Sequence, residues 1–270
     1  MIVDAAVIQF EPAHGDRATC LGRARALIEE TRADLIVLPE LFSTGYFFRH
    51  ASELEGLAEE LPEGHAASEI RKWSRDLHAV IVAGIAENSK GKLFNSALVA
   101  MPDGTSHVYR KVHLYYREKD VFHAGDQGFP VIEIPIGDGQ SYQLGVMICF
   151  DWYFPESARS LALQGADVIA HPSNLVRRDC PRAMPIRALE NHVYTLTANR
   201  TGCEENGGEE LHFIGQSVIC DPMGNVIASA GRDDATVLYA AIDIEAARDR
   251  GITAYNDVLG DRRPDQYTLR

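Results

Sequence analysis

The chain contains no CxxC pair, no apolar run of membrane length and too little positive charge to balance its acids. Each shortage excludes a class of protein. Without an apolar stretch of about 18 residues there is no candidate membrane-spanning helix. The first residues, Met1-Ile2-Val3-Asp4, place no basic segment ahead of an apolar one, so no secretory leader is expected and the cytoplasm is the expected compartment. The five cysteines, Cys20, Cys149, Cys180, Cys203 and Cys220, are odd in number, which argues against a disulfide framework, and none is spaced for a zinc ribbon. At least one thiol is free, as suits a reducing compartment. A net charge of −13 disfavours nucleic acid and anionic membranes as partners and leaves a small molecule. Low-complexity, linker-like and internally repeated segments are also missing, so one domain over residues 1–270 is expected.

What remains is an ordinary folding composition, 46% hydrophobic and 24% charged. Short segments rich in Val and Ile read as strands at 3–10, 34–39, 79–87, 95–101, 106–112 and 129–135. Others follow at 142–149, 167–172, 193–200, 214–221, 226–230 and 236–243. Helical periodicity falls at 16–32, 64–78, 155–166 and 184–192, with Asp16 a candidate N-cap and Pro155 at a first-turn position. The turns "MPDGTS" and "CDPMGN" join strands that should pair antiparallel. The result is a mixed α/β domain, with two sheets needed for about twelve strands. The tail 251–270 is polar and barely periodic.

Functional residues of α/β sheets gather beyond the carboxyl ends of strands. Glu40 follows "DLIVLP", Lys111 ends "SHVYRK" and Cys149 ends "YQLGVMIC", where a buried strand gives way to a helix start. Taken singly, Cys149 reads as a small core residue, Glu40 as a helix-start acid and Lys111 as a strand-edge charge. Taken together they form a nucleophilic set. A thiol of ordinary pKa, about 8.5, needs a base to become a nucleophile. A desolvated carboxylate can accept its proton, and a lysine can stabilise the oxyanion formed on a carbonyl. The turn after Cys149 also points backbone N–H groups, Phe150 among them, toward the same place.

Three segments carry a resemblance. "LIVLPELFSTGY", "YRKVHLYYREKDVFHAGD" and "GVMICFDWYFPESARSLALQGADVI" resemble, in order and separation, the glutamate, lysine and cysteine motifs of the nitrilase superfamily, the carbon–nitrogen hydrolases. "RALEN" at 187–191 fits as well, and the similarity runs from residue 2 to about 245. The resemblance implies an α-β-β-α sandwich of two mixed sheets that pairs into an eight-layer dimer, with helix 184–192 and the tail 251–270 at the subunit interface. It implies Glu40 as general base, Lys111 as oxyanion stabiliser, Cys149 as nucleophile, and Glu118 as the second glutamate that positions the lysine and substrate. The Phe150 amide would complete the oxyanion hole. Tyr46, Trp152, Asn174 and Arg177 are the expected substrate contacts, on or beside the loops 41–63, 112–128 and 173–185. No metal or organic cofactor is implied.

Other constellations say less. His107, His113, His123 and Asp126 lack metal-site spacing and read as structural. The glycines of 137–139 and of "ENGGEE" (205–210) read as turns and an exposed acidic loop. Arg177 and Arg178 follow a strand near the expected site, where a substrate carboxylate could meet them. The expected reaction is hydrolysis of a small carboxamide to acid and ammonia through a thioester on Cys149. A nitrile or an N-carbamoyl substrate is the alternative within the class, and a non-catalytic binding scaffold the alternative outside it. The run after Cys149 lacks the polar arrangement of some carbamoyl-specific members, which favours amide or nitrile. An ammonia-supplying synthetase domain would need a fused ATP-dependent partner for which 270 residues leave no room.

Overall fold

Strand β1 (Ile2–Gln9) divides its side chains between two cores, Val3, Ala5 and Val7 on one face and Ala6 and Ile8 on the other. Strands β2 (Leu35–Val37) and β3 (Val80–Ser89) behave alike, with Leu35, Val37, Val80 and Val82 on the first side and Ile36, Ile81 and Ala83 on the second. Strands covered on both faces read as continuous apolar runs, which is why polar alternation is missing from these segments. The computed structural model of the chain describes residues 1–268. With β4 (Lys92–Ala100), β5 (Ser106–Arg110) and the late strand 236–243, these strands make a six-stranded mixed sheet. Helices α1 (Arg17–Glu29) and α2 (His65–Leu77) cover its outer face through Leu21, Ala24, Ile28, Ile70 and Trp73.

The second sheet holds β6 (Val131–Gly137), β7 (Gln140–Val146), β8 (Val168–Pro172) and β9 (Tyr194–Ala198). A separate hairpin, β10 (Cys203–Asn206) and β11 (Glu209–His212), precedes the sheet's last two strands, β12 (Val218–Cys220) and β13 (Val226–Ser229). Strand β14 (Thr236–Asp243) then returns to the first sheet, antiparallel to β1. After the one-turn helix α3 (Glu118–Val121) come α4 (Pro155–Leu163) and α5 (Asp179–Asn191), whose Ala158, Leu161, Met184 and Ala188 are buried against the second sheet. The layers are α-β-β-α. A short helix, α6 (Ile244–Arg248), and a small hairpin, β15 (Gly251–Thr253) with β16 (Asn256–Asp257), close the chain. Positions 269 and 270 of the expected interface tail lie outside the described residues.

The two sheets share one wiring that no sequence repeat announces. The order is β14-β1-β2-β3-β4-β5 in one and β6-β7-β8-β9-β12-β13 in the other. In each, three parallel strands stand in the middle, one antiparallel strand on one side and two on the other. Glu40 leaves β2 of the first sheet, and Cys149 leaves β7 of the second.

Two local readings are corrected. Helix α5 starts at Asp179, not 184, because Pro181 falls in the first turn, where no N–H donor is needed. Pro185 is carried inside the helix, whose Cys180, Met184 and Ala188 are buried. The acidic segment 205–210 is the tip of the β10–β11 hairpin, turned by Gly207 and Gly208 at positive φ.

Gly84 of β3 sets how closely the first sheet approaches the turn after β2. A Cβ there would lie 2.4 Å from the Glu40 Cα and 2.6 Å from the Leu41 nitrogen. An alanine in a strand interior would ordinarily add stability. Here Gly84→Ala is expected to cost roughly 1–3 kcal/mol by overpacking, read from denaturant unfolding. Unchanged stability would show that the turn yields freely.

Candidate active site

The carboxylate of Glu40 is buried, and its two oxygens have different surroundings. Oε1 accepts from Asn95 Nδ2 of β4 at 2.6 Å and from Lys111 Nζ at 2.6 Å. Oε2 is buried without a hydrogen-bond partner among the described residues. A buried carboxylate oxygen left free is costly unless something is meant to reach it.

Lys111 directly follows β5, and its backbone N–H donates to the Asn95 carbonyl, so β4 places both of its neighbours. Its ammonium is fully buried and donates to Glu40 Oε1 and to Glu118 Oε1, each at 2.6 Å. Burial works against the charge, but the two carboxylates outweigh it and hold the pKa above that of an ordinary lysine. Glu118 opens α3. Its Oε1 also accepts from the Tyr46 hydroxyl at 2.7 Å, and its Oε2 from the Tyr115 amide at 3.1 Å. Burial raises this carboxyl and the repulsion of Glu40 adds to it, while Lys111 and Tyr46 pull it back; the result is about 7.

Cys149 begins a short 3-10 turn, Cys149–Tyr153, with its own backbone at φ +40. A non-glycine residue in that region is strained and needs fixing from outside. Asp151 supplies one fixture. Its Oδ2 accepts from the Ile148 amide at 2.8 Å and the Tyr109 hydroxyl at 2.7 Å, and its Oδ1 accepts from the His113 amide at 3.0 Å. The His113 ring, 2.8 Å from the same oxygen, stacks on Phe154. His171 supplies the other: its Nε2 lies 2.9 Å from the Cys149 carbonyl, which can only accept. Burial drops this imidazole to about 4, so it stays neutral with the proton on Nε2.

The thiol of Cys149 is 4% exposed. Burial and the nearby Glu40 push its pKa well up, against the pull of Lys111, so at neutral pH it rests protonated. The first amide to bond back within the turn is that of Asp151, to the Ile148 carbonyl. The Phe150 amide precedes it, where the N–H groups of a helical turn lack internal partners.

A cavity of about 350 Å³ opens beside the sulfur. Tyr115, Phe150, Trp152 and Tyr153 give it aromatic walls, and Asn174, Leu175 and Val176 form another side. Of the expected substrate contacts, Trp152, Asn174 and Arg177 line it. Tyr46 does not: it stands behind Glu118, its ring edge-on to Phe213. Arg177 is exposed and its guanidinium is engaged by Asp179 at 2.8 Å. Arg178 is exposed as well. Among the described residues the one group placed to hold a metal ion is Cys203, Glu210 and His212, all exposed on the β10–β11 hairpin and none lining this cavity.

An acid–base–thiol cluster at the meeting of two sheets is the arrangement that the three sequence motifs describe, and a family model for carbon-nitrogen hydrolases matches residues 4–250. The chain belongs to the carbon–nitrogen hydrolase family. A protein named nitrilase from Pyrococcus abyssi is 46% identical over 98% of this chain and 99% of its own length. An N-carbamoylputrescine amidase from Solanum lycopersicum is 33% identical over 99% of this chain and 94% of its own. Among solved structures, a variant of the amidase from Nesterenkonia sp. AN1, with acrylamide added at its active-site cysteine, superposes with a TM-score of 0.72 at 28% identity, covering 92% of this chain and 96% of that one. This protein is thus a nitrilase/amidase-type carbon–nitrogen hydrolase.

Sequence reasoning did not find Asn95, Tyr109, Asp151 or His171 in this hydrolase. Asp151 stood in plain view inside the cysteine motif, two residues after the thiol. Asn95 and His171 look like chance polar residues in apolar strands until their partners, 55 and 22 positions away, are known.

With substrate present, mass spectrometry should find an acyl adduct on the 145–157 segment. Cys149→Ala should lose turnover with an unchanged melting temperature. An adduct on Cys203 or Cys220 instead would rule out Cys149 as the nucleophile.

Proposed function

We propose that the hydrolase cleaves small, uncharged primary carboxamides to carboxylic acid and ammonia. Glu40 accepts the Cys149 proton on its free Oε2 as the sulfur adds to the amide carbon. The oxyanion that forms is met by the Lys111 ammonium and the Phe150 amide, together worth several kcal/mol, on the order of 3–4 for each well-placed donor. Collapse expels the nitrogen, which leaves as ammonia with the proton returned by Glu40. Water, activated by the same carboxylate, then hydrolyses the thioester and restores the thiol. Glu118 holds Lys111 in place throughout.

One observation carries the choice of amide. Asn174 Nδ2 donates to the Glu40 carbonyl at 2.9 Å, which fixes the side chain's orientation, since that oxygen can only accept. Asn174 Oδ1 is therefore the atom left over; it is buried, has no hydrogen-bond partner among the described residues, and belongs to a residue lining the Cys149 cavity. An acceptor so placed suits the N–H of a primary amide. A nitrile nitrogen has no hydrogen to give. Arg177, already paired with Asp179, supports an uncharged substrate over one with a carboxylate. A nitrile is the second reading, favoured by the name of the Pyrococcus abyssi relative.

The test is ammonia release from matched amides, nitriles and N-carbamoyl amino acids, by the wild type and by Asn174→Leu. Loss of the Glu40 contact will slow every substrate, so the ratio is decisive. The amide-to-nitrile ratio should fall by about tenfold in the variant, the worth of one buried hydrogen bond. Wild-type nitrile rates above matched amide rates, or an unchanged ratio, would overturn the amide reading.

The same reading makes residues 1–270 one catalytic domain acting as a homodimer or larger homo-oligomer in the cytoplasm. Free thiols at all five cysteines support a reducing compartment. Exposed apolar side chains on α5 (Ile186 and Leu189) and in the tail (Ile252, and Tyr255 at 92% exposure) support a subunit contact. Sedimentation at micromolar concentration should give at least a dimer, and a fully active monomer would contradict this.

A further inference from the structure

Arg200 and Glu204 form a buried ion pair well away in sequence from every motif of the site, and nothing in the reaction scheme uses it. Arg200 is fully buried, its guanidinium 4.0 Å above the Phe213 ring, with further bonds to the Thr201 and Pro12 carbonyls. Glu204, on β10, has its other contacts on the loop after Glu40. Its Oε2 accepts from the backbone amides of Tyr46 at 2.9 Å and Phe47 at 2.6 Å, and lies 3.1 Å from His14 Nδ1. Gly45 makes this approach possible: a Cβ there would sit 2.8 Å from Glu204 Oε1. Asn206, on the same strand, donates to the Phe47 carbonyl at 3.0 Å. The hairpin thus grips both sides of one loop.

What that loop delivers is the Tyr46 hydroxyl. Resting on the catalytic reading above, we infer that Arg200 and Glu204 are positioning residues: by fixing the Tyr46 backbone they hold its phenol on Glu118 Oε1, and so set the charge state of the Glu118–Lys111 pair. The path is continuous, from Arg200 to Glu204, to the Tyr46 amide, to the Tyr46 hydroxyl, to Glu118 and to Lys111. The charged and titratable groups facing Glu118 are Lys111 after β5, Glu40 and Tyr46 after β2, and Cys149 after β7. Those facing Glu204 are Arg200 and His14. Burial would raise the Glu204 carboxyl, but His14, Arg200 and the Phe47 amide draw it down to about 2, so it stays ionised wherever the enzyme works.

The sign of the effect follows from the hydrogen bond. The phenol stabilises the Glu118 carboxylate, so losing it raises the pKa of that carboxyl, and the acidic limb of the kcat/KM profile moves to higher pH. A net hydrogen bond of ordinary strength corresponds to a shift of about half a unit to one unit. Glu204→Gln alone would strand a buried guanidinium, so Arg200→Met/Glu204→Gln, which removes both charges together, is the variant to carry forward. It is compared with Tyr46→Phe and with the triple variant.

We expect Tyr46→Phe and the Arg200→Met/Glu204→Gln pair each to move the acidic limb upward by that amount. Both should lower kcat with KM within about twofold of wild type, and the triple variant should be no worse than Tyr46→Phe. A second readout is independent of the substrate: the pH dependence of Cys149 alkylation by iodoacetamide, followed on the 145–157 peptide, should shift with the same variants. If no amide is hydrolysed by the wild type, the catalytic reading fails while this arm still decides the positioning. A lowered melting temperature with a wild-type acidic limb and a wild-type alkylation profile would reduce the ion pair to a fold element. Additive losses in the triple variant would sever the path at Tyr46, and a raised KM with unchanged kcat in Tyr46→Phe would make Tyr46 a substrate contact instead.

Discussion

One ammonium, shared at 2.6 Å between two buried carboxylates, is the interaction on which the rest of the site depends. Lys111, Glu40 and Glu118 come from three separate segments, and none of them touches bulk water to any useful extent. Removing Lys111 would leave two carboxylates facing each other in the interior without a cation, at a cost of about 3–5 kcal/mol. The surrounding hydrogen bonds follow from that constraint. Asn95 and Tyr46 each satisfy a carboxylate oxygen already engaged by Lys111, while the Tyr115 amide satisfies the far side of Glu118. Of the carboxylate oxygens of Glu40 and Glu118, the one without a hydrogen-bond partner among the described residues is Glu40 Oε2. A site that packs two carboxylates around one ammonium and yet leaves one carboxylate oxygen free holds that oxygen ready to accept a hydrogen bond or a proton.

The thiol depends on the same economy of position. Burial and Glu40 raise the Cys149 pKa and keep the thiol neutral, and on the reading proposed above its proton leaves to a carboxylate already held by the lysine. The strained backbone at Cys149 is maintained by groups that take no part in the chemistry, Asp151 from within the turn and His171 from β8. One lies inside the cysteine motif and the other 22 positions away, yet both act on the peptide units that flank the thiol.

How far the sequence could be read follows the range of the interactions. Short Val- and Ile-rich strands and the Pro/Gly turns are local, and the strands they mark were legible, because both cores demand apolar residues on successive positions. The three motif residues were legible because Glu40, Lys111 and Cys149 each follow a strand end within about three residues. The interlocking of the halves was not, since β1–β5 and β7–β13 share a path but no residues. Nor was Glu204, whose partners at Tyr46 and Phe47 lie 158 and 157 positions away. Tyr46 was picked out as a substrate contact from its place in a motif, and the structure puts its hydroxyl on Glu118. Helix α5 starts at Asp179, ahead of the periodic segment 184–192, because a first-turn proline costs a helix little.

The division of the site between the two sheets has a consequence for the order in which it is assembled. Glu40, Lys111 and Glu118 all belong to the part of the chain that is synthesised first, and Cys149 and Asn174 to the part that follows. The first half alone has the two carboxylates and the ammonium without the thiol. The second, before docking, has a thiol of ordinary pKa, about 8.5, with no carboxylate beside it. Only when the two sheets close on one another, a step dominated by contacts distant along the chain and therefore slow, does the cysteine acquire its partner. A nascent or partly folded molecule consequently carries every side chain of the site without the site itself, which arrives only with the completed fold.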